Sequence, residues 1–171
     1  MEAVWKRIHG WLGANAPAGY GHLRPGAPAE AIRAAERAMR LKLPADVKAS
    51  CRIHDGQANG PGLIGGEGWR LLPLRDMVAD WQRWSESDPR YISRVPVAWG
   101  GAGDYIFLDL GPEAERPGGL IVQRRDRDEP DPVAPSFRFW LDDFADKLEH
   151  GEFAYSEAAG SIMYADEVDL D

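Results

Sequence analysis

The segment 41–56, with the sequence LKLPADVKASCRIHDG, constrains the fold more strongly than any other part of this chain. Proline disfavours helical geometry in the residue before it, so Pro44 predicts that one helix ends at Leu43 and another begins after the proline. Asp46 suits the first turn of the second helix because its charge complements the helix dipole. Gly56 is predicted to end that helix in the left-handed conformation that glycine adopts at low cost. The segment therefore predicts two helices joined by a short, defined connection.

Apolar residues at intervals of three and four predict four helices, one of which, 28–40, is the helix that precedes Pro44. Their predicted ranges are 3–15, 28–40, 74–84 and 137–148. In the first helix the stripe includes Trp5 and Trp11, and we expect it to be core rather than a partner surface. His9 lies off this stripe and is expected to face solvent, and Glu36 is expected on the polar face of its helix. The glycine- and proline-rich segment 16–27 is predicted to be a loop.

Short apolar runs bounded by glycine or proline predict the strands. The predicted strands are 69–72, 95–99, 105–110 and 120–122. The run 105–110 is apolar on both faces, which is expected of a central strand covered on both sides. Pro96 cannot donate a hydrogen bond to a neighbouring strand, so it indicates an edge position or the start of a strand. Together the elements predict an α+β fold, with a charged turn at 126–131.

The chain has 171 residues, enough to bury a core of its own, and no segment resembles a linker between two domains. We predict one domain, 1–151, followed by an acidic C-terminal tail, 152–171. No run of about 18 apolar residues is present, so no membrane span is predicted, and the N-terminus does not resemble a secretory signal. A single cysteine, Cys51, cannot form an internal disulfide, which agrees with a reducing compartment and predicts a cytoplasmic protein.

The formal net charge of −8 is unevenly distributed along the chain. The predicted tail holds six acidic residues and no lysine or arginine, which leaves a net charge of −2 for the rest. Nucleic-acid binding requires a basic face, so the charge argues against a nucleic-acid partner. Two interpretations of the tail remain open: it attracts a basic protein partner by electrostatic steering, or it is a solvated segment that aids solubility.

Three groups of residues carry side chains typical of reactive sites, and each has a plainer structural interpretation. The glycine-rich segment 100–103 would hold a phosphate only if it opened a helix, but it precedes a strand, which favours a turn between paired strands. Cys51 and His54 would form half of a metal site or a thiol with its base, but further ligands are not evident and a core cysteine is favoured. Asp104 and Asp109 lie too far apart along one strand to share a proton. We predict no catalytic residue, no metal and no cofactor.

The order of several motifs along the chain carries a family resemblance. The motifs are Ile32…Glu36…Leu43-Pro44, His54-Asp55-Gly56-Gln57, Leu63-Ile64-Gly65-Gly66, Trp69-Arg70-Leu71-Leu72, Val95-Pro96-Val97-Ala98, Gly103-Asp104, Leu108-Asp109-Leu110 and Pro135-Ser136-Phe137. This succession resembles the SUKH superfamily, named for a yeast cell-wall assembly regulator and its bacterial relatives, up to about Gly151. Cys51-Arg52 departs from the pattern, since the family often has aromatic residues there.

The resemblance implies a non-catalytic domain in which N-terminal helices pack on a mainly antiparallel sheet and a long helix lies near the C-terminus. It also implies a protein-binding function. In bacteria such domains commonly act as immunity proteins that neutralise a cognate toxin by occupying it, and an acidic inhibitor suits a basic toxin such as a nuclease. The alternative function is a regulatory scaffold in cell-wall assembly. An enzyme that uses Asp104 or Cys51 ranks below both.

We predict that the partner binds at a strand–turn rim, because loops on a sheet scaffold often carry recognition. The rim residues are Asp104, Tyr105, Asp126, Asp128 and Glu129. The last three cluster at the charged turn with Arg124, Arg125 and Arg127. The alternatives for this cluster are a cation site and a solvated hairpin tip.

Overall fold

A five-stranded antiparallel sheet organises the computed structural model, which describes residues 1–101 and 103–168. The helices are α1 (Glu2–Asn15), α2 (Pro17–Tyr20), α3 (Ala29–Met39), α4 (Ala45–Ile53), α5 (Leu74–Ser87), α6 (Phe137–Glu149) and α7 (Ala165–Val168), with a 3-10 helix at Pro89–Tyr91. The strands are β1 (Arg70–Leu71), β2 (Arg94–Gly100), β3 (Asp104–Asp109), β4 (Gly119–Gln123) and β5 (Asp131–Ala134), and a separate hairpin pairs β6 (Phe153–Ser156) with β7 (Ser161–Tyr164). The main sheet has the order β1-β2-β3-β4-β5, which confirms the predicted α+β fold. Over the described residues, no helix combines the length and the apolar content needed to cross a membrane.

Alternate residues of β3 point to opposite faces of the sheet, and both faces are covered. Phe107 faces α5, where the ring of Trp84 stands edge-on to it at a centroid distance of 5.5 Å. Ile106, on the other face, is buried and lines a pocket with Phe144 of α6. β3 is therefore the central, doubly covered strand that its apolar sequence predicts.

β2 contains Pro96 although β2 has a neighbouring strand on each side. β1 is only two residues long and pairs with β2 at Trp99 and Ala98, so Pro96 lies beyond the end of β1. The register between β2 and β3 also shifts between Pro96 and Ala98. Prolines within sheets are confined to such edge-like or irregular positions because they lack an N–H donor. By order β2 is an inner strand, but at Pro96 it behaves as an edge.

The connection between α3 and α4 is organised by the carboxylate of Glu36. Its side chain is only 5% exposed, so the expectation that it lies on the polar face is wrong. Oε1 accepts a hydrogen bond from the backbone N of Leu43 at 3.0 Å and lies 3.4 Å from Lys48 Nζ, while Oε2 lies 3.6 Å from Lys42 Nζ. The carboxylate thus satisfies a backbone donor just before α4, where no helical carbonyl is available.

The ionisation of Glu36 follows from these contacts. Burial by itself raises the pKa of Glu36, but the Leu43 hydrogen bond and the charges of Lys48 and Lys42 outweigh it, so its pKa lies below the ordinary value. A carboxyl group with a depressed folded pKa contributes stability above its unfolded pKa, and the contribution is lost as the pH falls through the folded pKa. Glu36 therefore stabilises the helix pair at neutral pH and ceases to do so in acid.

Gly56 adopts the predicted left-handed conformation, with a φ of +64°, but for a different reason. α4 ends at Ile53, and a Cβ on Gly56 would lie 2.4 Å from the backbone N of Pro73 and 2.5 Å from the carbonyl carbon of Leu72. Glycine is required because two backbone segments cross here. The left-handed helix cap of this region is Arg40, at the end of α3.

α1 packs on α4 through hydrogen bonds set among aromatic rings. Trp5 is core as expected, and its Nε1 donates to Ser50 Oγ at 2.9 Å. His9 does not face solvent as predicted; it is half-buried, with its Nε2 2.7 Å from His54 Nε2. His54 Nδ1 lies 2.7 Å from the carbonyl oxygen of Arg24 and must donate to it, because a carbonyl only accepts. In the neutral pair His9 Nε2 is therefore the donor and His54 Nε2 the acceptor.

Residues 152–168, which the sequence set apart as part of an acidic tail, form the hairpin and α7. Phe153 and Ile162 of the hairpin are 3% and 0% exposed and belong to the same core as the sheet. The backbone N of Ile162 donates to the carbonyl oxygen of Gly62, and its carbonyl oxygen accepts from the backbone N of Gly68, both at 3.3 Å. The hairpin is therefore bound to the loop before β1. Asp169, Leu170 and Asp171 of the predicted tail lie outside the described residues.

Four other elements differ from the sequence expectations or refine them. The segment 16–27, predicted to be a loop, contains the single-turn helix α2, and β5 follows the charged turn without having been predicted. The segment 100–104 is predicted to be a turn between paired strands, and it does join β2 to β3, with Gly100 paired to Asp104. Ala102 lies outside the described residues. α6 has the expected length, with Ser136 as its N-cap, but the hairpin follows it.

Replacing Glu36 by alanine is expected to lower the free energy of unfolding by about 2–3 kcal/mol, because the buried N–H of Leu43 loses its acceptor. Urea unfolding at neutral pH measures the change. Glu30→Ala on the same helix is the matched control: its side chain is 64% exposed and pairs with Arg33 and Arg37 at the surface. The control should leave the unfolding transition nearly unchanged. Equal losses in the two variants would contradict the role assigned to Glu36.

Acidification is expected to destabilise the protein through His9. Burial, and then the neighbouring charge of His54, hold the pKa of His9 below its ordinary value. His9 therefore binds a proton more readily in the unfolded state than in the folded state. The stability that neutral His9 contributes is complete above the ordinary histidine pKa of about 6.5 and is lost as the pH falls below it. The fall in melting temperature on acidification from neutral pH should be smaller in His9→Gln than in the unaltered protein. His150→Gln, at an exposed position, should keep the full slope; a His9→Gln variant with that same slope would refute the assignment.

Candidate partner-binding site

The rim residues lie around the connection between β4 and β5. Gln123, buried at the end of β4, holds this connection from inside. Its Nε2 donates to the carbonyl oxygens of Arg124 and Arg127 at 3.1 and 2.6 Å, and its Oε1 accepts from the hydroxyl of Tyr91 at 2.9 Å. A fully bonded buried amide of this kind fixes the path of the backbone around it.

Asp104 opens β3, and its carboxylate is occupied by the protein's own loop. Oδ1 accepts a hydrogen bond from the backbone N of Arg125 at 2.8 Å, and Oδ2 lies 3.6 Å from Arg124 Nη1. The side chain is 21% exposed. Asp104 therefore joins β3 to the charged turn and offers a partner only part of its surface.

Tyr105 lies in the core rather than on the surface. Its side chain is 7% exposed, and its ring packs edge-on against Trp84 at a centroid distance of 5.6 Å. The hydroxyl accepts a hydrogen bond from Arg83 Nη2 at 2.7 Å. Burial, with the charge of Asp80 beside it, raises the pKa of Tyr105. The tyrosine supports α5 against the sheet and presents almost no surface to a partner.

The other three rim residues, Asp126, Asp128 and Glu129, are exposed. Glu129 Oε1 lies 3.7 Å from Arg90 Nη1, a surface pair of the kind that contributes little to stability. Residues 124–131 hold four acids and three arginines, so the turn together with its flanking arginines has a net charge of only −1. The structure thus brings four of the predicted residues to one edge of the sheet and places the fifth beneath them.

A cleft of about 360 Å³ separates the charged turn from the end of α5. Its charged lining residues are Asp88, Arg90, Arg124, Arg125, Arg127 and Asp128. Arg90 pairs with Asp88 at 2.8 Å, and Arg127 with Asp131 at 2.7 Å. Arg124 also lies near a carboxylate, that of Asp104, so three of the four lining arginines have an acidic neighbour and the cleft has only a weak preference for anions.

The strongest charge lies elsewhere, on α6 and the residues after it. Residues 137–171 hold ten acidic and two basic residues, so they account for the whole net charge of −8, and residues 1–136 are balanced. Among the described residues, eight acids occupy exposed or half-buried positions of α6, the hairpin and α7: Asp142, Asp143, Asp146, Glu149, Glu152, Glu157, Asp166 and Glu167. We call these eight residues the acidic face. The backbone N of Ala165 donates to the carbonyl oxygen of Glu152 at 2.9 Å, which holds α7 beside the end of α6.

Arg7 of α1 supplies a counter-charge to the acidic face. Its Nε donates to Glu149 at 2.9 Å, its Nη1 to Asp142 at 2.9 Å, and its Nη2 to Asp146. The hydrogen bonds with Glu149 and Asp146 raise the pKa of Arg7. One guanidinium among three carboxylates orients α6 on α1 and still leaves two negative charges unmatched.

Sequence reasoning located the acidity after residue 151 and missed the acids of α6 as part of the same surface. The signal was available in the spacing, since Asp142, Asp143, Asp146 and Glu149 fall on the side of α6 opposite its apolar stripe. Counting charge from the start of that helix, rather than from its end, identifies the acidic face.

The side chains considered for chemistry are engaged in the core. Burial, ahead of the charge of Asp55, raises the pKa of Cys51 to about 12, whereas a reactive thiol needs a lowered pKa. His54 bonds to His9 and to the carbonyl of Arg24 and is not turned toward the thiol as a base. In the part of the chain that the structure describes, no three histidine, cysteine, aspartate or glutamate side chains converge as a metal site requires.

The pair Gly65-Gly66 sets the distance between the hairpin, α6 and the sheet. Both residues have positive φ, +79° and +75°. A Cβ on Gly66 would lie 2.0 Å from the ring of Phe153, and one on Gly65 would lie 2.7 Å from the ring of Trp140. Glycine alone combines this conformation with so close an approach. The pair therefore lets the hairpin, through Phe153, and α6, through Trp140, pack closely on the same loop.

Comparison with known protein families matches residues 26–143 to the model of the SMI1 / KNR4 family (SUKH-1). The match covers more than half of the chain and ends within α6. It includes the helix pair joined at Pro44, the whole five-stranded sheet and the Gly65-Gly66 pair.

Three fungal proteins are similar in sequence. The cell wall biosynthesis/cell cycle regulator smi1 of Schizosaccharomyces pombe is 28% identical over 197 aligned positions, covering 95% of this chain and 39% of the relative. The KNR4/SMI1 homolog of Yarrowia lipolytica is 31% identical over 127 positions, 69% of this chain and 18% of the relative. The glucan synthesis regulatory protein of Neurospora crassa is 29% identical over 95 positions, 54% of this chain and 18% of the relative. The chain thus spans between 18% and 39% of the length of these curated relatives.

Gly66→Ala is expected to lower the free energy of unfolding by about 3 kcal/mol, because backbone strain adds to the collision with Phe153. Gly68→Ala is the matched control. Gly68 has a similar φ of +68°, but a Cβ there meets nothing within 4 Å, so only the strain of about 1 kcal/mol remains. Urea unfolding of both variants measures the difference, and equal losses would mean that the close approach of the hairpin is not what requires Gly66.

Proposed function

The chain belongs to the SMI1 / KNR4 family (SUKH-1), and from this premise we propose that it is a non-catalytic domain that acts by binding another protein. Two relatives named as regulators support the proposal, since regulators commonly act through contacts with other proteins. The burial of Cys51 and the raised pKa of its thiol also favour binding over catalysis.

The acidic face is the observation that carries the proposal. Its eight acids, set against Arg138 and Lys147, give residues 137–168 a net charge of −6, whereas the charges of residues 1–136 cancel. A one-sided field of this kind accelerates the encounter with a partner of opposite charge and loses strength as salt is added. The partner that fits is therefore a basic protein.

We further propose that the partner is a toxin and that the domain is an immunity protein. Neutralisation then needs no reactive group, because the domain only has to cover the part of the toxin that meets its target. A nuclease toxin is basic where it holds the phosphates of its substrate. An acidic face that docks there would compete directly with the substrate, and the encounter would take place in the cytoplasm, where such a toxin acts.

A second candidate function is regulation of cell-wall assembly. The observation that favours it is the names of the fungal relatives, which describe regulators of cell wall biosynthesis and glucan synthesis. The same acidic face would then serve as an adaptor surface. The two candidates differ in their partner rather than in the physics of binding.

Co-expression with the toxin encoded next to its gene tests the immunity proposal. We expect growth to be restored and a complex to form, and we expect the triple variant Glu152→Lys, Asp166→Lys, Glu167→Lys to weaken binding roughly 10- to 100-fold at low salt. The matched control is Asp126→Lys, Asp128→Lys, Glu129→Lys, which reverses the same number of charges on the rim and should bind almost normally.

Each outcome of this experiment has a distinct meaning. If the rim variant loses binding and the acidic-face variant does not, the rim is the binding site and the acidic face is not. If the unaltered protein neither restores growth nor forms a complex, the immunity proposal is wrong. Sensitivity of a deletion strain to inhibitors of cell-wall synthesis would then support the regulatory candidate.

A further inference from the structure

A groove runs between α6, the hairpin and the sheet, and its deepest part is a pocket of about 150 Å³. The buried part of its apolar lining consists of Trp69, Ile106, Val122, Trp140, Phe144 and Phe153, all of which are at most 6% exposed. Because these side chains come from the sheet, α6, the hairpin and the loop before β1, the pocket exists only in the assembled fold. Its floor is thus made of closely packed core residues, whereas Val133 and Tyr164 line it from exposed positions.

Two ion pairs stand at the mouth of the pocket. Arg124 Nη2 lies 3.2 Å from Glu67 Oε2, and Lys147 Nζ lies 2.9 Å from Asp143 Oδ2. Each of these four side chains is between 33% and 44% exposed, so the mouth is open to solvent while the floor is apolar. An apolar centre with a polar margin is the usual anatomy of a protein–protein contact.

The groove continues from the pocket along β7. A shallower recess shares Glu67, Arg124 and Tyr164 with the pocket and ends at Glu167. One wall of the pocket thus belongs to α6, with Asp143, and the far end of the groove to α7, with Glu167. Both acids are members of the acidic face, so the groove crosses the surface that carries the net negative charge.

We infer that this pocket receives one large apolar side chain from a basic segment of the protein partner. A pocket of about 150 Å³ has room for a group of about the size of benzene, which is the bulk of a phenylalanine or leucine side chain. Three carboxylates and two cations line the groove, and α6 and α7 beside it carry further acids, so a segment rich in lysine or arginine is favoured, while the buried apolar floor supplies an anchor at its centre. The inference rests on the proposed function and adds which kind of side chain of the partner the pocket binds.

The Gly65-Gly66 pair leaves the space that two walls of the pocket occupy. Side chains at these positions would occupy the space of Trp140 and Phe153, which form two of its walls. The motif that identifies the family therefore also shapes the proposed anchor site.

Short peptides test the inference without knowledge of the natural partner. The probes are heptapeptides with a central residue X between two runs of three lysines, with X as alanine, leucine or phenylalanine. Titration of ¹⁵N-labelled protein at low salt should show binding at least about tenfold tighter for leucine or phenylalanine than for alanine. The indole N–H signals of Trp69 and Trp140 should shift only with the larger side chains.

Val133→Trp provides a variant that fills the pocket. Val133 lines the pocket from the edge strand β5 and is 38% exposed, so a larger side chain has room to fold over the mouth. The variant should bind all three peptides with the affinity of the alanine peptide. Ile92→Trp, at a residue 54% exposed that is not part of the pocket lining, is the matched control and should keep the preference for large side chains.

The outcomes separate this inference from the function on which it rests. Equal binding of the three peptides by the unaltered protein would overturn the anchor and leave the acidic face as the binding surface. Binding of none of them would overturn the anchor and the preference for a basic partner together. A clear preference for large side chains, combined with no rescue of growth in the toxin experiment, would uphold the anchor and reject the immunity role.

Discussion

The buried carboxylate of Glu36 is the interaction on which the arrangement of the N-terminal helices depends. Removing a charge from water is costly, and here one backbone N–H and two lysines offset the cost. Because α4 begins where Glu36 holds Leu43, its position then allows Ser50 to meet Trp5 of α1. Each buried contact thus fixes the position of the helix that makes the next one.

The same chain of contacts reaches the acidic face. α1, once placed, presents Arg7 to α6, and Arg7 orients the acids of that helix. The acidic face is thus stabilised by a counter-charge from the opposite end of the chain, and this counter-charge reduces its net negative charge by one. On the proposed function, stability and binding depend on the same carboxylates, and Arg7 sets the balance between them.

Much of the fold could be predicted from the sequence, because helices longer than about ten residues repeat their apolar spacing often enough to be recognised. The hairpin could not, since each of its strands has four residues and, of their apolar residues, only Phe153 and Ile162 are fully buried. Glu36 and His9 were placed at the surface because polarity predicts exposure, and only tertiary contacts give a buried polar group its partner. The rim was recognisable as a charged turn, but the burial of Tyr105 depends on α5 lying across the sheet.

The family match ends at residue 143, whereas the hairpin and α7 follow that point. The helix pair and the sheet thus lie in the shared part of the chain, and most of the acidic face lies beyond it. On the proposed function, partner choice is carried largely by exposed acids that the family model does not include. A lineage would then exchange its partner by substituting those acids, while Phe144, Leu148, Phe153 and Ile162 among the same residues stay apolar because they belong to the core.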